Sequence, residues 1–63
     1  MADDVKPPSN TEWVYGNLLT AFRHAHNRGD LPATFRIDTA IRVLEELWPD
    51  DTARWCARFD GRR

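Results

Sequence analysis

Several features that stabilise small proteins or give them chemistry are scarce in this chain of 63 residues. It has a single cysteine, Cys56, so no disulfide can form within the chain. The other soft metal ligands are His24 and His26, whereas a closed structural zinc site usually takes four ligands. The three glycines are scattered rather than grouped in a phosphate-binding loop. The sequence therefore predicts no metal site and no cofactor.

A dominant charge and a long apolar run are also missing. Nine basic and ten acidic side chains leave a net charge of −1, so no overall charge attracts the chain to nucleic acid or to an anionic membrane. No stretch approaches the ~20 apolar residues of a membrane span, and the N-terminus, MADDVKPPSN, lacks the pattern of a signal peptide. These features predict a cytoplasmic protein that does not contact a membrane.

The chain does have a heavy aromatic content for its length, with three Trp, three Phe and one Tyr. Chains below roughly 70–80 residues seldom build a sufficient core without a disulfide, a metal, a partner or unusually dense packing. Each aromatic side chain buries about 150–250 Å². We therefore expect aromatic residues to supply the core, and part of that apolar surface to be shared in a homodimer or with another protein.

The strongest periodic pattern spans residues 37–48. Its apolar residues follow the spacing of one helical stripe: Ile37, Ala40, Ile41, Leu44, Leu47 and Trp48. Asp38 precedes Arg42 by four residues, a pair that supports a helix. Pro49 ends the pattern, because the residue before a proline disfavours the helical conformation. A helix over residues 38–48 is predicted.

An earlier helix is predicted between Ser9 and Gly29. Ser9 and Glu12 have the spacing of a capping box, and Gly29 is placed to end the helix at Asn27 or Arg28. The predicted buried stripe contains Val14, Leu18, Ala21, Phe22 and Ala25, with Tyr15 and Leu19 on its flank. Gly16 lies inside this helix, where glycine costs up to about 1 kcal/mol, and we expect a neighbouring Trp or helix to pack closely against it.

The segment between these helices has no single interpretation. Residues 29–32 indicate a turn, and residues 33–36 are compatible with an irregular connection, a helical turn opened by Asp30 and Pro32, or a short extended piece. Phe35 is predicted to cover the helix pair as a lid.

A third, short helix is predicted from Pro49 to about Phe59, because a proline followed by acids is typical of a helix start. Its buried seam is predicted to contain Thr52, Trp55, Cys56 and Phe59. The fold class is therefore all-α, a three-helix module with its first two helices antiparallel. The predicted organisation is an extended or disordered tail over residues 1–8, a single helical domain over 9–60 and a basic tail over 61–63.

Enzymatic chemistry is not predicted. Cys56 lies on an apolar seam, where cysteines usually act as small hydrophobes. His24 and His26 are two residues apart and point in nearly opposite directions on a helix, so they do not hold one ion together. The acidic run at Glu45, Glu46, Asp50 and Asp51 is interpreted as a solvated or docking surface. We expect no enzyme, no catalytic residue and no small-molecule substrate.

Nucleic-acid binding is the alternative hypothesis. Three short helices with a basic last helix have the outline of a helix-turn-helix module. Its candidate contacts are the arginines of the last helix and tail: Arg54, Arg58, Arg62 and Arg63. Acids at the start of that helix, and the lack of a glycine in the preceding turn, argue against it.

Protein binding is the favoured hypothesis, since Trp, Tyr and Arg dominate interface hot spots. The candidate binding residues are the tryptophans and the charged groups near the last helix: Trp13, Trp48, Trp55, Glu45, Glu46, Asp50, Asp51, Arg54 and Arg58. In size and class the chain is similar to small phage- or plasmid-encoded regulators and inhibitors. The sequence thus predicts a module that binds and modulates a larger protein.

Overall fold

The protein is built from helices alone within residues 6–59, the part of the chain that the computed structural model describes. The helices are α1 (Thr11–Arg28), α2 (Leu31–Leu47) and α3 (Pro49–Arg58), and each packs against the other two. The all-α, three-helix prediction is confirmed. No helix in this range is long and apolar enough to cross a membrane. The predictions for residues 1–5 and 60–63, which include Arg62 and Arg63, lie outside the described residues.

Helix α1 begins at Thr11, and the predicted capping box does not form. The N-cap is Asn10, whose side chain makes no capping hydrogen bond. The backbone N–H of Thr11 instead donates to the carbonyl oxygen of Pro8 at 2.9 Å. The carboxylate that the box needs belongs to Glu12, and this carboxylate is bound by Arg58 of α3. A tertiary ion pair has therefore replaced the local cap.

The end of α1 is set by Gly29, as predicted. Gly29 adopts the left-handed conformation with φ 75°, which a residue with a Cβ rarely adopts. Its N–H donates to the carbonyl of His26 at 3.0 Å, and the N–H of Asp30 donates to that of Ala25 at 3.0 Å. This pair of bonds is a Schellman motif, and it satisfies the last carbonyls of the helix.

Helix α2 begins seven residues earlier than predicted, at Leu31. Asp30 caps it, since its Oδ1 accepts the N–H of Ala33 at 3.2 Å. The hydroxyl of Thr34 donates to the Asp30 carbonyl at 2.8 Å. The connection from α1 is therefore two residues long. The lid prediction for Phe35 is wrong, because Phe35 lies on the outer surface of α2 and is 74% exposed.

A single residue, Trp48, separates α2 from α3. Its N–H donates to the carbonyl of Leu44 at 2.9 Å, and its own carbonyl accepts the N–H of Thr52 at 2.9 Å. The Thr52 hydroxyl donates to the same carbonyl at 2.8 Å. The predicted end of α2 before Pro49 and the start of α3 at Pro49 are both confirmed.

The core is small and is centred on four side chains: Tyr15, Leu19, Ile41 and Trp55. The rings of Tyr15 and Trp55 lie 5.9 Å apart. The predicted stripe of α1 is wrongly centred. The prediction has Tyr15 and Leu19 on the flank of the stripe, whereas in the structure they are 0% and 4% exposed. Val14, which was placed in the stripe, is 38% exposed. Ile41 is the centre of the α2 stripe, whereas Leu47 at its end is 58% exposed.

Helix α3 packs on one side of the α1/α2 hairpin. A Cβ built on Gly16 would lie 2.7 Å from Cζ of Phe59, so the ring of Phe59 occupies the space that a larger residue would need. The predicted close packing at Gly16 is confirmed, with a phenylalanine in place of a tryptophan. Arg58 pairs with Glu12 one turn earlier on the same flank of α1. We call this flank of the hairpin the covered face.

Candidate protein-binding surfaces

The three tryptophans predicted as binding residues have very different exposure. Trp13, in the first turn of α1, is 71% exposed. Trp48, between α2 and α3, is half-buried. Trp55 is only 6% exposed and contacts Tyr15 in the core, so it offers little surface to a partner. The fold does not gather the three rings into one patch.

The predicted charged residues are largely paired with each other. Arg54 forms an ion pair with Asp51 three residues earlier, and Arg58 pairs with Glu12 of α1. Asp50 and Glu46 are exposed, whereas Glu45 is half-buried and accepts a hydrogen bond. The arginines of α3 therefore lie beside carboxylates rather than forming an uncompensated basic surface.

A polar contact with a buried phenol joins α1 to α2. The Tyr15 hydroxyl donates to Oε2 of Glu45 at 2.9 Å. Burial raises the pKa of the Tyr15 phenol, and the hydrogen bond to the Glu45 carboxylate raises it further, since both favour the protonated form. Tyr15 is therefore a neutral hydrogen-bond donor at physiological pH, and its contact holds the helix pair in register.

Cys56 lies beside this phenol, in a shallow cleft of about 250 Å³ with Glu45 and Thr52. A thiol needs a nearby base to act as a nucleophile. His24 and His26 lie more than two turns beyond Tyr15 on α1, about 13 Å along the helix axis for His24. Neither histidine has the placement of a base for this thiol. Among the described residues, no group of three or more His, Cys, Asp or Glu side chains is placed to hold a metal ion.

A groove of about 520 Å³ lies between the C-terminal half of α1 and the start of α2. Its lining residues are Phe22, Leu31, Thr34, Phe35, Asp38 and Arg42. Phe35 and Leu31 are 74% and 69% exposed, and two turns further along the same stripe of α2 the Arg42 Nε donates to Oδ2 of Asp38 at 2.8 Å. The ring of Phe22 stacks on His26 with centroids 6.1 Å apart. We call this feature the Phe35 groove.

The sequence does not predict the Phe35 groove, because it leaves residues 33–36 open between an irregular connection, a helical turn and an extended piece. Leu31 and Phe35 are four residues apart, so in a helix they lie one turn apart on the same face. The signal was Asp30 followed by Pro32, an N-cap and an early-turn proline. Taken as a helix start, this pair of residues predicts the exposed Leu31–Phe35 pair directly.

A second apolar surface lies on the opposite flank of the hairpin from α3. Val14 is two residues from both Glu12 and Gly16, and residues two apart on a helix point about 200° apart. Val14 therefore points away from α3. Leu47 is likewise two residues from Glu45, which lines the cleft at α3, so Leu47 also points away from α3. The surface consists of aliphatic residues at helical spacing on α1 and α2: Val14, Leu18, Ala21, Ala40, Leu44 and Leu47. We call it the uncovered face.

Side chains of the uncovered face are partly exposed throughout. Val14 and Leu47 are 38% and 58% exposed, and the other four are half-buried. Val43, at the edge of this face, is 49% exposed. The face is therefore a band of partly exposed aliphatic side chains, of which Leu18 and Leu44 also pack against the core.

The chain matches no protein-family model, and no curated protein or solved structure is significantly similar to it.

Proposed function

We propose that this protein is a non-enzymatic interaction module that binds a larger protein and modulates or inhibits it. The observation that carries the proposal is the Phe35 groove, where two large apolar side chains are exposed beside an ion pair. Phe35 contributes an aromatic anchor of the type that dominates binding energy at interfaces. An exposed phenylalanine and leucine add little to the stability of α2, because neither is removed from water in this fold.

The groove best fits an amphipathic segment that carries apolar side chains and a carboxylate. Its apolar groups are Phe22 of α1 and the Leu31–Phe35 pair of α2, and the Asp38–Arg42 ion pair continues the same stripe of α2. Arg23 follows Phe22 on α1 and adds a second cation near this region. A partner helix with an acidic edge would place its apolar stripe on Phe35 and its acid near these cations.

The tryptophans and acids predicted from sequence have secondary roles in this proposal. Trp13 and Trp48 retain exposed ring surface and are proposed as additional contacts. Trp55 supports binding through the core. The exposed acids Glu46 and Asp50 are proposed to steer the approach of a partner.

The helix-turn-helix alternative has less support from the geometry. The connection between α2 and α3 is the single residue Trp48, whereas a helix-turn-helix motif uses a turn of three to four residues. Arg54 and Arg58 are paired with carboxylates, and Asp50 and Asp51 lie in the first turn of α3. A nucleic acid would have to displace these ion pairs and approach the acidic helix end.

The proposal is tested by capture from host lysate with tagged wild-type protein and two variants, with and without nuclease. Phe35→Ser removes the anchor of the groove. Thr39→Ala changes an exposed residue one turn further along α2 and is the matched control. We expect a discrete protein that is captured by wild type and by Thr39→Ala, survives nuclease treatment, and is reduced about tenfold or more with Phe35→Ser.

Two results would overturn this assignment. Equal capture by Phe35→Ser and wild type would show that the groove is not the contact. The nucleic-acid alternative would be supported if nuclease treatment abolished all capture and if an Arg54→Ala, Arg58→Ala double variant captured nothing without nuclease. Far-UV circular dichroism and the unfolding midpoint of each variant establish that the fold is intact.

A further inference from the structure

We propose that a second copy of this chain occupies the uncovered face. The two hairpins pack face to face as a four-helix bundle, with each α3 on the outside. The two-fold axis runs across the helices, so each α1 packs antiparallel on the partner's α1 and each α2 on the partner's α2. The closed ends of the two hairpins, at Gly29, then lie at opposite ends of the dimer.

The size of the uncovered face suits this assembly. Helix α2 has 17 residues and is about 25 Å long at 1.5 Å per residue. Two helices packed at about 8–10 Å present a face about 20 Å wide. Two such faces bury on the order of 1,000 Å² in total, which is near the lower limit for a specific interface. A dimer of modest affinity is expected.

The shape of the uncovered face is complementary to itself in this orientation. Along α1 the row runs from Val14 and Leu18 to Ala21, and it ends there because Ala25, the next position, is buried in the core. Along α2 the large residues Leu44 and Leu47 lie at the open end of the hairpin, and Ala40 and Ala33 lie nearer the Gly29 end, with the half-buried Ile37 between them. Antiparallel pairing places the large residues at the open end of one copy against the end of the other copy where alanines leave room for them.

The charge distribution favours the same orientation. The Gly29 end of the hairpin carries more cations than acids: Arg23, Arg28 and Arg36 against Asp30 and Asp38. The open end, with α3, carries more acids than cations: Glu12, Glu45, Glu46, Asp50 and Asp51 against Lys6, Arg54 and Arg58. An antiparallel dimer brings ends of opposite charge together, whereas the parallel arrangement stacks like ends.

This inference is independent of the Phe35 groove. Leu31 in the groove and Leu47 on the uncovered face are both exposed leucines of α2, and they are 16 residues apart, which turns them about 160° from each other. A dimer through the uncovered face therefore leaves the groove of each copy open. Failure of one proposal does not decide the other.

The first experiment measures molar mass by analytical ultracentrifugation over a wide range of concentration. Wild type is expected to change reversibly from monomer to dimer. Leu47→Glu is expected to weaken self-association by at least about tenfold, because a charge would be buried in the interface. Leu31→Glu is the matched control, since the same substitution on the other side of α2 leaves association unchanged.

The second experiment tests the orientation with a single engineered cysteine in a Cys56→Ser background. Ala40 lies at the middle of its row, so the two-fold axis brings it close to its own mate. Ala40→Cys is expected to form a disulfide-linked dimer under mild oxidation, whereas Thr39→Cys on the outer surface is expected to remain largely monomeric.

Three outcomes would overturn the proposal. A wild-type protein that stays monomeric at all concentrations would exclude the dimer. Equal weakening by Leu47→Glu and Leu31→Glu, with the fold retained, would show that the uncovered face is not the interface. A dimer in which Ala40→Cys forms no more disulfide than Thr39→Cys would contradict the antiparallel arrangement.

Discussion

The covered and uncovered faces of the same helical hairpin are built from different chemistry. The covered face is held by specific contacts: the Phe59 ring fits over Gly16, Arg58 pairs with Glu12, and Tyr15 contacts Trp55. The uncovered face has only aliphatic side chains at its centre. Directional contacts fix one arrangement of α3 on the hairpin, whereas an aliphatic surface attracts any partner of matching shape. The first face determines the fold, and the second is the face on which we propose that a second copy packs.

Trp55→Ala is the strongest test of the covered face. Truncating a buried aromatic costs about 3–5 kcal/mol, which is comparable with the whole stability expected of so small a domain. We expect loss of helical circular dichroism in water for this variant. Leu47→Ala, on the uncovered face, should retain its helices. Only the rise of its unfolding midpoint with protein concentration, which the proposed dimer would cause, should be lost. A Trp55→Ala protein that still unfolds cooperatively at the wild-type midpoint would contradict the assignment of the core.

Tyr15→Phe sharpens the comparison through pH. In the unfolded chain a tyrosine ionises near pH 10, whereas burial and Glu45 raise the pKa of Tyr15 in the folded state. Above about pH 10 the unfolded state therefore releases this proton before the folded state does. The stability contributed by the neutral phenol is present below that pH and is lost as pH rises further.

The measurement is the urea midpoint between neutral pH and about pH 11 for both proteins. Tyr15→Phe should be less stable at neutral pH by about 1 kcal/mol, because a part-buried hydrogen bond is lost. It should also lose less stability than wild type at alkaline pH. Since Tyr15 is the single tyrosine, phenolate absorbance reports its titration directly. Parallel pH profiles for the two proteins would show that the phenol is not buried as described.

The smallest effect is expected at the contact of Gly16 with Phe59. Alanine at position 16 gains about 1 kcal/mol of helix propensity, but its Cβ collides with the ring tip of Phe59. Gly16→Ala should therefore stabilise the protein by about 0.5–1 kcal/mol in a Phe59→Ala background and by less, or not at all, in wild type. A double-mutant cycle measures this difference. Additive effects would show that the ring does not rest on Gly16.

Some features of the molecule follow from local sequence alone. Gly29 ends α1 because its backbone adopts a left-handed conformation, and Pro49 ends α2 and starts α3 because of its fixed ring. The Asp38–Arg42 pair also forms as its spacing predicts. These signals act within four residues, so they hold whatever the rest of the chain does. The three-helix class follows from them together with the apolar spacing.

Other features depend on which surfaces meet in the folded chain. The apolar spacing of α1 could not show whether Val14 or Tyr15 faces the core, since both residues continue a row of apolar side chains along the helix. Packing of α3 buried Tyr15 and left Val14 half open. The partner of Glu12 likewise came from residue 58 rather than from a local cap. Local sequence determined where the helices begin and end, and tertiary packing decided which apolar residues form the core and which remain for a partner, because burial depends on residues distant in the chain.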